Sequence, residues 1–167
     1  MIKIIVAFML SLAFVACSSE GEDLQNVTSK LVVGNSLANT TLNDQFEKSH
    51  TIPAGTKKVI FAFSKDAAHT CNDFFATQAP TYLQDNGVVF IADVSAAPSL
   101  IRSMFILPGL KDFKHTVLLL EEKSVAAPFR KGVDSEKVIV AYVKDGNISK
   151  VDSLTTKEEL QKVVESK

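Results

Sequence analysis

Neither sign of charge dominates this 167-residue chain: eighteen lysines and arginines stand against nineteen aspartates and glutamates, and no basic stretch is interleaved with aromatics. Such a balance cannot neutralise a run of phosphates, so nucleic acid is not an expected partner. The seven glycines stand singly, with no G-x-G-x-x-G and no phosphate loop, and no nucleotide cofactor is expected. G-x-S-x-G is absent too, which removes the sequence support for a nucleophile-elbow hydrolase. Arginine is limited to Arg102 and Arg130, each read as a solvated or helix-end residue rather than an anion site. Cysteine is limited to Cys17 and Cys71, too few for a disulfide scaffold. What the chain does have is 46% hydrophobic against 22% charged residues, the composition of one compact unit stabilised by packing.

The first sixteen residues differ from the rest. Lys3 supplies a positive start, Ile4 to Val15 form an apolar run broken only by Ser11, and Ala16 precedes Cys17. The run is shorter than the about 20 residues that cross a bilayer, so a removed signal peptide is expected over a retained spanning helix. Phe14-Val15-Ala16-Cys17 resembles the lipobox of bacterial lipoproteins, with Phe14 in place of the usual leucine. The resemblance implies that Cys17 is acylated, palmitate among its chains, and becomes the mature N-terminus; the alternative is an ordinary secretory signal with a chance cysteine. Ser18 stands where an aspartate would retain a lipoprotein in the inner membrane, which implies the periplasmic side of the outer membrane. Residues 17–29 are then a lipidated tether, polar and acidic from Ser18 to Asn26, and residues 30–167 the domain. Once Cys17 carries lipid, Cys71 has no intramolecular disulfide partner.

Within the domain, patches at Leu31 to Val33, Thr41-Leu42 and His50 to Ile52, separated by Gly34-Asn35 and Asn43-Asp44, predict a small N-terminal β-hairpin. Lys57 to Ser64 and Val88 to Val94 are nearly continuous apolar runs, the pattern of strands buried on both faces. Asp66 to Ala79 predicts a helix capped by Asp66 and interrupted at Pro80, with Tyr82 and Leu83 in a second piece. Leu100, Ile101, Met104, Phe105 and Leu107 recur at helical spacing between Pro98 and Pro108-Gly109, where the helix should stop. Two readings of the apolar stretch 101–110 stand, core packing and an exposed groove, with core favoured by the spacing. His115 to Leu120 predicts a further strand, and Val125 to Arg130 a short helix. Lys137 to Val143 turns through Lys144-Asp145-Gly146-Asn147 into Ile148 to Val151 as a hairpin. Thr155-Thr156-Lys157-Glu158-Glu159 opens a final amphipathic helix as a capping box.

The order of these elements resembles the thioredoxin superfamily, and more narrowly its exported reductases and peroxiredoxins, which share the extra strand at His115 to Leu120. It implies a three-layer α/β sandwich, a mixed central sheet flanked by helices, with the N-terminal hairpin as an extension. It also implies an active site at the start of the helix after the central strand, where a Cys-x-x-Cys would have its thiolate stabilised by the helix dipole and free N–H groups. The corresponding tetrapeptide here is Ala68-His69-Thr70-Cys71, so the attacking thiol is missing. The family's cis-proline position falls on Lys137. One cysteine cannot complete an intramolecular dithiol cycle, and dithiol oxidoreductase activity is not expected.

Cys71 could still act alone, as a thiol peroxidase or redox sensor with His69 and Thr70 as polar neighbours. The peroxiredoxin pattern nevertheless fails at Ser64 and Ala68, where a proline and a threonine or serine belong. The other reading is a small, inert core residue. The metal-ligating types His50, His69, Cys71, Met104 and His115 are too scattered to predict a site, and no metal is expected. The leading expectation is a redox-silent domain, anchored by lipid, that binds an envelope protein or a small ligand.

Overall fold

The computed structural model describes residues 27–166. The signal peptide, Cys17 and most of the tether therefore lie outside the described residues.

Strands β1 (Thr41–Asp44), β2 (Ser49–Thr51), β3 (Lys58–Ala62), β4 (Val88–Asp93), β5 (Leu118–Leu120), β6 (Val138–Lys144) and β7 (Asn147–Leu154) form one seven-stranded sheet. Their order is β2-β1-β5-β4-β3-β6-β7. β3, β4 and β5 run parallel, their neighbours β1 and β6 are antiparallel to them, and the edge strands β2 and β7 reverse direction again. Central position explains the apolar runs: every residue of β3 is buried. Alternation along the strands then feeds two cores. Ile60, Phe90, Leu119 and Val140 face helices α1 (Lys65–Phe75), α2 (Tyr82–Asp85) and α6 (Lys157–Glu165), while Phe61, Ile91, Leu118 and Ile139 face α5 (Lys123–Arg130) and the N-terminal segment. The hairpin joining β6 to β7 turns through Asp145 (φ 53°) and Gly146 (φ 80°), the paired positive angles of a type I′ turn. Thr156 caps α6, and Glu159 returns the bond to the cap backbone.

Four expectations need correction. Leu31 to Val33 is not a strand: Lys30 N–H donates to Pro128 O and Gly34 N–H to Ile148 O, so the segment lies across α5 and β7 rather than along a neighbour. The predicted strand 115–120 pairs only over Leu118–Leu120, because the Gln45 side chain takes the backbone of the preceding residues. Its Nε2 donates to His115 O (2.8 Å) and its Oε1 accepts from Val117 N–H (2.9 Å). Contacts with the domain begin before residue 30, since Ser29 Oγ donates to Lys131 O and Val27 is half-buried.

The fourth correction concerns the crossover from β4 to β5. Pro108-Gly109 does not stop the helix there. The chain runs through α3 (Ser99–Ile101), a π-helical turn (Arg102–Ile106) and α4 (Leu107–Lys111). Pro108 has no N–H to donate and its ring crowds the carbonyl one turn earlier, so the preceding turn widens until Leu107 N–H reaches Arg102 O. The wide turn also decides the burial. Leu110 is buried and Ile106 and Leu107 pack against the core, whereas Leu100 (64%), Ile101 (44%), Met104 (58%) and Phe105 (65%) are exposed, contrary to the core reading of this stretch.

Candidate functional site

In this fold the place to look for chemistry is the junction of β3 and α1. The connection is short: β3 ends at Ala62 and Ser64 already caps α1, its Oγ accepting from Ala67 N–H at 3.3 Å. Asp66, expected as the cap, sits in the first turn, where its carboxylate complements the positive end of the helix. Ser64, Lys65 and Asp66 thus occupy the cap and the first two positions of α1, and none carries sulfur. The tetrapeptide Ala68 to Cys71 lies further on, inside the helix.

Cys71 is fully buried in the core beside Ala67, Phe74 and Phe75, and burial pushes its thiol far above the ordinary cysteine range. His69, two residues earlier, is exposed on the opposite side of α1. Thr70 Oγ1 donates to Asp66 O at 3.0 Å, an internal helix contact. The structure therefore does not bring Cys71, His69 and Thr70 together. Lys137 stands just before β6 with its Nζ 3.2 Å from Asp134 Oδ2, and no cis peptide bond occurs among the described residues.

The polar groups that are buried lie elsewhere. His115 is 3% exposed, and its Nε2 is 3.0 Å from Oδ1 of buried Asn72, so the proton sits on Nε2. Its Nδ1 has no partner, and the ring is enclosed by Phe75, Phe90 and Phe113. Burial lowers the pKa of this imidazole from 6.5 to about 4. His50 Nε2 lies 2.7 Å from Asp44 Oδ2, while Asp44 Oδ1 accepts from the N–H groups of Phe46 and Lys48 and closes the β1–β2 turn. Burial alone would raise the Asp44 carboxyl, but the bonds from Lys48, His50 and Phe46 outweigh it and hold the group below its usual range. His50, His69, Cys71, Met104 and His115 are dispersed. Among the described residues no group of three His, Cys, Asp or Glu side chains is placed to hold a metal.

At the carboxyl end of β4, the side chain of Asp93 is fully buried and pairs with Arg130 (Oδ2 to Nη1, 3.1 Å), while its Oδ1 accepts from Ser95 N–H at 2.8 Å. Arg130 is the helix-end residue expected, in the last turn of α5, and is paired as well, while Arg102 donates to Glu121 O at 2.7 Å. A cavity of about 520 Å³ opens beside the pair, lined among others by Val27, Ser95, Lys123, Arg130 and Ser135. Clefts beyond the carboxyl ends of parallel strands are where open α/β sheets take ligands. Neither this pair nor the Asn72–His115 contact is visible in a local pattern, because each joins residues more than thirty positions apart.

No family model and no curated protein matches the chain. Solved structures do. A protein assigned as thiol:disulfide interchange protein DsbE from Chlorobium tepidum is 13% identical, with a TM-score of 0.54 over 78% of this chain and 94% of that one. The pneumococcal exposed lipoprotein thioredoxin of Streptococcus pneumoniae is 15% identical, with a TM-score of 0.53 over 76% and 98%. The peroxidoxin BcpB of Mycobacterium tuberculosis is 16% identical, with a TM-score of 0.51 over 79% and 93%. The fold is thioredoxin-like. At these identities the likeness extends to architecture and not to activity.

Proposed function

We propose that this chain is a lipid-anchored protein of the bacterial cell envelope, tethered through Cys17 on the periplasmic side of the outer membrane. Its thioredoxin-like domain is redox-silent and serves as a binding module for another envelope protein or a small ligand. The observation that carries the redox-silent part is the head of α1, where Ser64, Lys65 and Asp66 stand and the one cysteine among the described residues is buried further along. Thiol chemistry starts from the thiolate, and a fully buried sulfur in apolar surroundings resists forming one. The one-cysteine peroxidase or sensor gains no support from the geometry, since neither His69 nor Thr70 reaches Cys71. Anchoring draws its support from the lipobox-like residues 14–17.

The test is thiol alkylation of the full chain, purified from membranes, with iodoacetamide across pH, alongside an assay for reduction of a protein disulfide. The expected result is no modification until denaturant is added, then one equivalent at Cys71, and no turnover. Modification of the native protein at neutral pH, sulfenate formation with peroxide, or disulfide turnover overturns the redox-silent reading.

A further inference from the structure

Leu100, Ile101, Met104 and Phe105 form the largest run of exposed apolar side chains in the described residues. Met104 and Phe105 follow Leu100 and Ile101 by four residues, about one helical turn, so the exposed side chains share a face. Ile106, Leu107 and Leu110 point the other way and fix the segment to the core. Such a patch on a protein surface marks something that covers it.

What covers it is indicated by where the N-terminal chain reaches the domain. Val27, the first described residue, shares its cavity with Ser95 and Ala96, the loop that leads into α3, and with Lys123. Arg102, inside the π turn, donates to Glu121 O, two residues before Lys123. The apolar face and the attachment of the N-terminal chain are therefore neighbours at the carboxyl end of β4 and β5. From Cys17 to Val27 is ten residues, which span at most about 35 Å when fully extended. A lipid on Cys17 cannot lie further than that from Val27. The other exposed aromatic, Phe46, stands in the β1–β2 turn next to Asp44, which pairs with Leu118 at the opposite end of β5.

We infer that Leu100, Ile101, Met104 and Phe105 rest in the bilayer surface to which the chain is anchored, so that the domain lies against the membrane in one orientation. The inference rests on acylation of Cys17. Segments of this kind bury their apolar face about 5–10 Å into the boundary between headgroups and acyl chains. Arg102 and Lys123 stand at this end of the sheet with Glu121 and Glu122 beside them in the chain, so the apolar side chains rather than net charge carry the contact.

The chain has no tryptophan, so Phe105→Trp supplies a single fluorescent probe and Phe46→Trp its control. Each full-length variant is expressed with its lipid, its N-terminus is checked by mass spectrometry, and it is reconstituted into vesicles of phosphatidylethanolamine and phosphatidylglycerol with acyl chains brominated near the headgroup. The expected result is emission of F105W shifted to shorter wavelength and quenched about two-fold or more, as for a group at that depth, with F46W unaffected. An anchored chain with F105W unquenched, or with both probes quenched alike, overturns the docking while leaving the anchor intact. An unmodified Cys17 instead removes the anchor, and the docking with it. A crosslink from residue 105 to a second copy or to another protein, with no quenching, assigns the face to that partner and overturns the inference.

Discussion

Acidification forces a choice on His115. In the folded protein the imidazole is enclosed by three phenylalanines and donates from Nε2 to Asn72, and burial lowers its pKa to about 4, against 6.5 when exposed. Between those values the unfolded chain binds more protons than the folded one, so stability rises with pH across the window and falls as pH drops from 6.5 towards 4. A difference of that size corresponds to about 3 kcal/mol. His115→Leu removes the titration. At pH 7 the variant leaves Asn72 Oδ1 buried without its donor, at about 1–3 kcal/mol, partly offset by an apolar side chain in an apolar cage. Wild type is therefore expected to be the more stable by about 1 kcal/mol at pH 7, and the variant by about 2 kcal/mol at pH 4. The assay is urea unfolding followed by far-ultraviolet circular dichroism at pH 7, 6, 5 and 4. All other groups are common to the two proteins and cancel in the difference. Curves that stay parallel from pH 7 to pH 4 would refute the reasoning.

Asp93→Ala removes the carboxylate from Arg130 and from Ser95 N–H together. The loss is expected at about 2 kcal/mol, below the figure for a fully buried pair because Arg130 remains over a third exposed; a change under about 0.5 kcal/mol in the same urea assay would mean the pair is incidental. Thr156→Ala removes the hydroxyl half of the α6 capping box, leaving the Glu159 carboxylate its bond from the backbone N–H of residue 156, and should cost about 1 kcal/mol, with protection of the Glu159 amide lost first in hydrogen exchange.

The parts of the fold legible in the sequence are those where one local signal had no competitor. β3 and β4 read as strands because burial on both faces makes their runs apolar except at one end, Lys58 and Asp93, and β6–β7 because Asp145-Gly146 accepts the positive φ its turn demands. Competing signals account for the rest. Ser64 and Asp66 both suit a helix cap, and only the length of the connection from β3 chooses between them. The stretch 100–110 carries apolar residues on more than one side of a helix, so the spacing that favoured the core reading could not say which of them face inward; the π turn before Pro108 decided it. Gln45 standing in for a strand partner, and the buried Asn72, depend on residues 70 and 43 positions away, beyond any local pattern. The candidate site was legible chiefly as an absence, the missing sulfur at Ala68.

That absence runs deeper than one side chain. Ser64 Oγ takes Ala67 N–H and Ser64 O takes Ala68 N–H, so by residue 68 the helix has already engaged its backbone donors internally. The dipole falls off within the same first turn. A thiol at position 68 would therefore find neither of the two agents that make a thiolate at a helix start, and its would-be partner, Cys71, is sealed in the core three residues further on. Because the connection from β3 is so short, α1 begins about a turn before the tetrapeptide that would carry the catalytic pair. The fold keeps its sheet, its two cores and its capped helices without that chemistry, since none of the contacts that hold α1 in place, Phe74 and Phe75 in the core or Asn72 against His115, requires sulfur to react.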